Sequence, residues 1–214
     1  MAKNLIISLF RSNLGKAKLE QIVRDIWPDF RNKYPSITIG DPIQIPSKEA
    51  RRVIRHVKPD KVYDYFSKEK YGEPFKKGFS ILILTPFAKC LHAKFSGQEN
   101  DLVVITDLIP LVETFADDLS KGYASLIVGA VEPPSERTRY AIVSTVYRKW
   151  FEEEVAYRSI VRTTRHEVGH LAGLPDHESG SDKVCAMSAW REEYPSEREV
   201  QFCRECRKNL MKGV

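Results

Sequence analysis

One stretch, His166-Glu-Val-Gly-His170, constrains this 214-residue chain more than any other. On a helix the two imidazoles stand one turn apart on the same face, so both can grip a single metal ion. Glu167 points round the helix from that pair and cannot be a third ligand. Beside a metal it sits where a general base would serve. A charged surface helix that merely happens to carry two histidines is the plain alternative, and the residues downstream weigh against it. Gly173 follows His170 by three residues, where a helix closes most readily on a left-handed residue. The turn it allows sends the chain back beneath the helix, bringing Asp176 or His177 to the open side of the metal. Either could give the ion three protein ligands and leave a position for water. In such a site zinc lowers the pKa of its water toward ~7, and a carboxylate takes the proton as the water attacks a carbonyl.

The cysteines extend the pattern. Cys185, Cys203 and Cys206 cluster near the C-terminus, the last two as Cys-x-x-Cys, while Cys90 stands apart. In a reducing compartment such a trio indicates metal or redox chemistry rather than a disulfide framework. Cys90 reads as a small buried hydrophobe.

Composition sets outer bounds. With 42% hydrophobic and 29% charged residues the chain has the make-up of a globular protein. No stretch reaches the ~18 uninterrupted apolar residues that a membrane span needs. The opening MAKNLIISLFRSN carries no small-residue cleavage pattern, so an intracellular, cytoplasmic protein is expected. Residues 1–100 hold 19 Lys/Arg against 10 Asp/Glu, and residues 101–214 hold 15 against 19. A basic front half could attract nucleic acid or an acidic protein, but its lysines are interleaved with acids, as on solvated helix faces.

The element pattern predicts strands over 4–10 and 37–45, the latter broken at Gly40 and Pro42. Between them a helix is expected, with Ser12 or Asn13 as its cap and Pro28 as its stop. Residues 47–77 read as helical or irregular. Strand-like runs follow at 79–85, 101–107, 123–131 and 139–147, the first two nearly continuous in apolar residues, as in strands covered on both faces. A long helix is expected from about Phe151 to Ala172, and a last one from Ser196 to Met211. This order suggests an α/β (α+β) fold on a mixed, twisted sheet flanked by helices.

At His166, Glu167, His170, Gly173, then Asp176-His177, Cys185-Ala186-Met187 and Cys203/Cys206, the sequence resembles the archaemetzincins, a branch of the metzincin zinc metallopeptidases. Their pattern is HExxHxxGxxHC, then CxM, then CxxC. The likeness is carried by residues 101–214 and reaches 1–100 in outline. It implies a single catalytic domain over 1–214, with an N-terminal subdomain over 1–173 and a small zinc-stapled C-terminal one over 174–214. It also implies hydrolysis of peptides by zinc-bound water with Glu167 as base, on a peptide or protein substrate. A monomer is expected.

Two residues depart from that pattern: Asp176 stands where the family has its third histidine, and His177 where it has cysteine. The spacing from there to Cys185 is also longer than in the family pattern. Side chains of neighbouring residues in an extended turn diverge. The resemblance then implies two zinc ions per chain, a catalytic one on His166, His170 and Asp176 and a structural one on His177, Cys185, Cys203 and Cys206. The latter is a closed Cys3His donor set. Competing arrangements put His177 on the catalytic ion, or make Cys203 and Cys206 a redox pair. Met187 corresponds to the methionine that metzincins pack beneath the catalytic zinc. The strand over 123–130 corresponds to the upper rim of the cleft, where an extended substrate pairs through its backbone. Residues 188–194 correspond to a wall of the substrate pocket. Position 189 is Ala where some metzincins carry an oxyanion-assisting tyrosine, which leaves Tyr194 or the metal for that task. A two-zinc binding module for nucleic acid or an acidic protein is the rival reading, and Glu167 argues against it, because a purely structural site needs no base.

Aspartate in place of neutral histidine lowers the net charge of the donor set and its ion from about +2 to +1, which makes the metal a weaker Lewis acid. Asp176→His is therefore expected to move the pH–activity profile to lower pH. An unchanged profile would speak against Asp176 as a ligand.

Overall fold

Alternation along three central strands builds a three-layer arrangement. Strands β1 (Asn4–Leu9), β5 (Asn100–Thr106) and β8 (Tyr140–Ser144) lie side by side and parallel, with Leu5 opposite Asp101 and Leu102 opposite Tyr140. Successive side chains point to opposite faces. Leu5, Ile7, Val103, Ile105, Ala141 and Val143 face one layer, while Leu102, Val104, Tyr140 and Ile142 face the other. Both faces are covered, which is why these strands read as apolar runs rather than as alternating ones. The sheet is completed by β2 (Ile37–Ile39), parallel to β1, and β7 (Gly129–Val131), antiparallel to β8, giving the order β2-β1-β5-β8-β7. The sequence-based expectation of one mixed sheet needs an addition. A second, three-stranded sheet has the order β3-β4-β6, from β3 (Ile54–Val57), β4 (Phe79–Ile83) and β6 (Ile109–Leu111). These observations come from a computed structural model that describes residues 3–57, 79–95, 100–111, 129–131, 139–146, 152–177, 184–188 and 200–212.

One layer of helices consists of α1 (Lys16–Phe30), α4 (Glu153–Leu171) and α5 (Arg204–Met211); α2 (Ser47–Val53) and α3 (Leu84–Phe95) lie on the other side. Helix α1 runs through Pro28 instead of stopping there. Proline removes one backbone bond, but Phe30 beyond it is fully buried and sits edge-on to Phe202 at 5.5 Å. Burying a side chain of this size is worth about 1.5–3 kcal/mol, which offsets much of the ~3 kcal/mol that a proline inside a helix costs. The expected cap by Ser12 or Asn13 is also absent. Ser12 Oγ donates to Asp107 at 3.0 Å and the Asn13 N–H donates to its other oxygen at 2.8 Å, so Gly15 takes the cap position. The carboxylate at the end of β5 thus ties down the β1–α1 loop.

Two further boundaries differ from the sequence pattern. The apolar run 79–85 turns into α3 at Leu84, because Leu84, Phe87, Ala88 and Leu91 recur at helical spacing and are all buried. Pro86 falls in the first turn, where a backbone N–H has no partner within the helix. The last helix begins at Arg204, not Ser196; residues 196–199 lie outside the described ones, as do 123–128, 189–195 and most of 47–77 beyond Val57. Among the described residues, no helix is long and apolar enough to cross a membrane.

Candidate metal centres

Helix α4 supplies the first centre. It ends at Leu171, and Gly173 adopts φ 89°, the left-handed conformation that suits glycine. The Gly173 N–H reaches His170 O at 2.9 Å and the Leu174 N–H reaches Gly169 O at 2.9 Å, which is the paired bonding of a Schellman close. The chain then reverses and brings the Asp176 carboxylate to the two histidines. Asp176 Oδ1 lies 3.4 Å from both His166 Nε2 and His170 Nε2, and the two Nε2 atoms are 3.0 Å apart.

Both rings are held from behind. His166 Nδ1 is 2.9 Å from Ala186 O, and His170 Nδ1 is 3.0 Å from Leu174 O. A carbonyl only accepts, so each Nδ1 carries the proton and each Nε2 presents a bare lone pair. Burial lowers the His166 pKa, with the nearby His170 and Arg162 acting in the same direction, which favours the neutral, ligating form. Two lone pairs and a carboxylate oxygen facing one another at 3.0–3.4 Å repel unless a cation lies among them. Tetrahedral zinc with bonds of about 2.0–2.1 Å sets its ligand atoms about 3.3–3.4 Å apart, so the three donors fit that ion.

Glu167 is buried, at 4% exposure. Burial, with the charge of Asp176 second, pushes its carboxyl up to about 8. A cation among the three donors would draw it down again by favouring the charged form.

The second centre is assembled from both sides of the reversal. His177 Nε2 lies 3.4 Å from Cys203 Sγ and 3.4 Å from Cys206 Sγ, and Cys185 Sγ is 3.8 Å from Cys206 Sγ. Together His177, Cys185, Cys203 and Cys206 present four donor atoms within 4.8 Å of one another. A tetrahedral zinc with sulfur bonds of about 2.3 Å separates two sulfurs by about 3.8 Å and a sulfur from a nitrogen by about 3.5 Å. The set therefore fits. Its softness also selects zinc over calcium or magnesium. Cys185 and Cys206 are pushed up chiefly by burial, whereas Cys203, at the start of α5, is drawn below the usual thiol range despite its burial, first by the Cys206 N–H. All four cysteines of the chain are free, and Cys90 lies elsewhere, with its Sγ 3.7 Å from Glu49.

Met187 is fully buried beneath the histidine helix. A Cβ at Gly169 would lie 2.5 Å from Met187 Sδ, so the glycine inside the His-Glu-Val-Gly-His motif makes room for that sulfur. Gly169→Ala should destabilise by about 1–3 kcal/mol through overpacking, read as a lower urea midpoint. In a Met187→Ala background the same change should become neutral or stabilising, since alanine favours the helix by about 1 kcal/mol. An equal penalty in both backgrounds would refute the contact.

Arg162 and Arg165 are site-supporting residues that the sequence reading did not single out. Buried Arg162 donates to Ser188 O at 2.8 Å, holding the end of the Cys185–Met187 stretch against α4. Arg165 reaches Asp29 at 2.9 Å and Val200 O at 3.0 Å, tying α4 to α1 and to the chain that leads into α5. Their spacing, one turn and one residue ahead of His166, was the available signal. Of the cleft rim expected over 123–130, residues 123–128 lie outside the described residues and 129–130 fall in β7; of the pocket wall expected over 188–194, Ser188 is described and 189–194, Tyr194 included, are not.

No family model and no curated protein matches the chain in sequence. Solved structures do match in fold. Archaemetzincin from Methanopyrus kandleri superposes with a TM-score of 0.58 at 15% identity, covering 98% of this chain and 94% of that one. A zinc-dependent peptidase from Methanocorpusculum labreanum gives 0.53 at 19% identity, covering 96% and 99%. Archaemetzincin from Archaeoglobus fulgidus, complexed with malonate, gives 0.52 at 15% identity, again covering 96% and 99%. With the ordered sheet, the histidine helix and the Cys/His cluster behind it, the chain has the archaemetzincin fold.

Proposed function

We propose that this protein is a zinc-dependent peptidase that hydrolyses peptide bonds with Glu167 as general base. The observation that carries the reading is the convergence of His166 Nε2, His170 Nε2 and Asp176 Oδ1 within 3.4 Å, with the buried Glu167 between the two histidines in sequence on the same helix. A fold shared with zinc-dependent peptidases supports it. Zinc held by those three donors would supply a Lewis acid for the substrate carbonyl and lower the pKa of a water molecule.

The chain's own groups do the rest. Ala186 O and Leu174 O keep the two imidazoles in the tautomer that offers Nε2, and removing such supports typically weakens metal binding about 10–100-fold. A Glu167 carboxylate oxygen takes a proton from the attacking water and returns it to the departing amine, a transfer worth typically about 10²–10⁴ in rate. Asp176 adds a negative charge to the donor set and so moderates the Lewis acidity. His177, Cys185, Cys203 and Cys206 would hold a second, structural zinc, fully enclosed by protein ligands.

Zinc-loaded protein should cleave a quenched-fluorescent peptide library, lose that activity to a chelator and regain it on adding zinc. A loaded protein with no cleavage above buffer would sink the reading.

A further inference from the structure

Between the two donor sets runs a short stretch, Cys185–Met187, in which every residue is bonded in two directions. Cys185 Sγ belongs to the cysteine set and accepts the Cys203 N–H at 3.2 Å. The Ala186 N–H reaches Gln201 O at 2.8 Å, on the chain leading to Cys203, while the Ala186 carbonyl holds His166 Nδ1 at 2.9 Å. Met187 accepts the His177 N–H at 3.0 Å through its carbonyl and fills the space at Gly169 with its sulfur. A second link is covalent, because Asp176 of one set and His177 of the other share a peptide bond. The Asp176 side chain is 60% exposed, and among the described residues the groups that meet it within 3.4 Å are the two imidazoles. Its location therefore depends on where the backbone of the next residue is pinned.

Resting on the metal-binding reading above, we infer that His177 is a positioning residue for the histidine site: anchored in the cysteine set, it fixes Asp176 against His166 and His170, so that an ion in one set raises the affinity of the other. The two paths act together. One sets the direction of the His166 ring through Ala186 O, and the other sets the position of the third donor. Both weaken if the cysteine set opens, since His177, Cys185 and Cys203 belong to it and flank the backbone bonds that hold residues 177 and 185–187 in place. Coupling of this kind is reciprocal by thermodynamic necessity.

Zinc affinity at each set, measured at fixed pH by competition with a chromophoric chelator, tests the inference without reference to catalysis. Binding at the cysteine set is followed separately by the thiolate charge-transfer absorbance of Co2+. His177→Ala should weaken zinc binding at the histidine set about 10–100-fold, the range for loss of a group that orients a ligand. His177→Cys, which keeps four soft donors, should restore it. In the reverse direction, His166→Ala/His170→Ala should weaken the cysteine set by a similar factor; this variant leaves the cysteine donors intact and so reads the coupling even if His177→Ala fails to fold. A histidine set indifferent to residue 177, or a cysteine set equally tight with and without the two histidines, overturns this inference alone. A wild-type chain whose histidine set takes up no zinc overturns the peptidase reading along with it.

Discussion

Glu167→Ala should lower kcat/KM for peptide hydrolysis by about 10²–10⁴-fold while zinc content stays at the wild-type value. The two halves of that result follow from different observations. Zinc is retained because the three converging donors are His166, His170 and Asp176, and Glu167 is not among them. Activity is lost because Glu167 is the buried carboxyl that follows His166 on the same helix and interacts electrostatically with Asp176. Glu167→Gln, which keeps the shape and removes the proton acceptor, should be equally impaired. Hydrolysis by either variant at the wild-type rate would remove Glu167 as the base.

The second large effect concerns stability. Cys203→Ser/Cys206→Ser should remove one zinc per chain and lower the melting temperature by at least about 10 °C. Structural zinc in small finger-like sites binds with an apparent energy of about 10–16 kcal/mol, and binding energy of this kind is folding energy. For a chain of this size each 1 kcal/mol lost shifts Tm by about 2–4 °C, so losing even a few kcal/mol reaches the stated change. The segment at risk is identifiable: α5, residues 200–203 and the 185–188 stretch meet at these sulfurs, and Cys206 and Leu210 anchor α5 to the core below them. Chelation of the wild-type protein should reproduce the shift, and zinc should reverse it. An unchanged Tm together with an unchanged metal content would mean that the four donors hold no ion.

How much of this was legible beforehand depended on whether the physics was local. The helix at 153–171 and its stop at Gly173 follow from spacing and from a backbone angle that suits glycine, and both can be read from a few adjacent letters. The placement of Asp176 and His177 was open to reasoning for the same reason, since neighbours in a reversing chain point apart. The carbonyls of Ala186 and Leu174 were not legible, because every residue has a carbonyl and only the folded backbone selects two of them. Helix α3 escaped notice because FSILILT satisfies a strand pattern until Phe87, Ala88 and Leu91 are counted with Leu84. Pro28 is the opposite case: the helix runs on past it to Phe30, whose distant contact with Phe202 offsets the local cost of the proline.

On the proposed reading, the adjacent residues Asp176 and His177 serve different ions. Anomalous X-ray scattering at the zinc edge addresses it directly. Two peaks per chain are expected, one enclosed by His166 Nε2, His170 Nε2 and Asp176 Oδ1 and the other by His177 Nε2 and the sulfurs of Cys185, Cys203 and Cys206. A lone peak, or an imidazole of His177 turned onto the histidine helix, would contradict it.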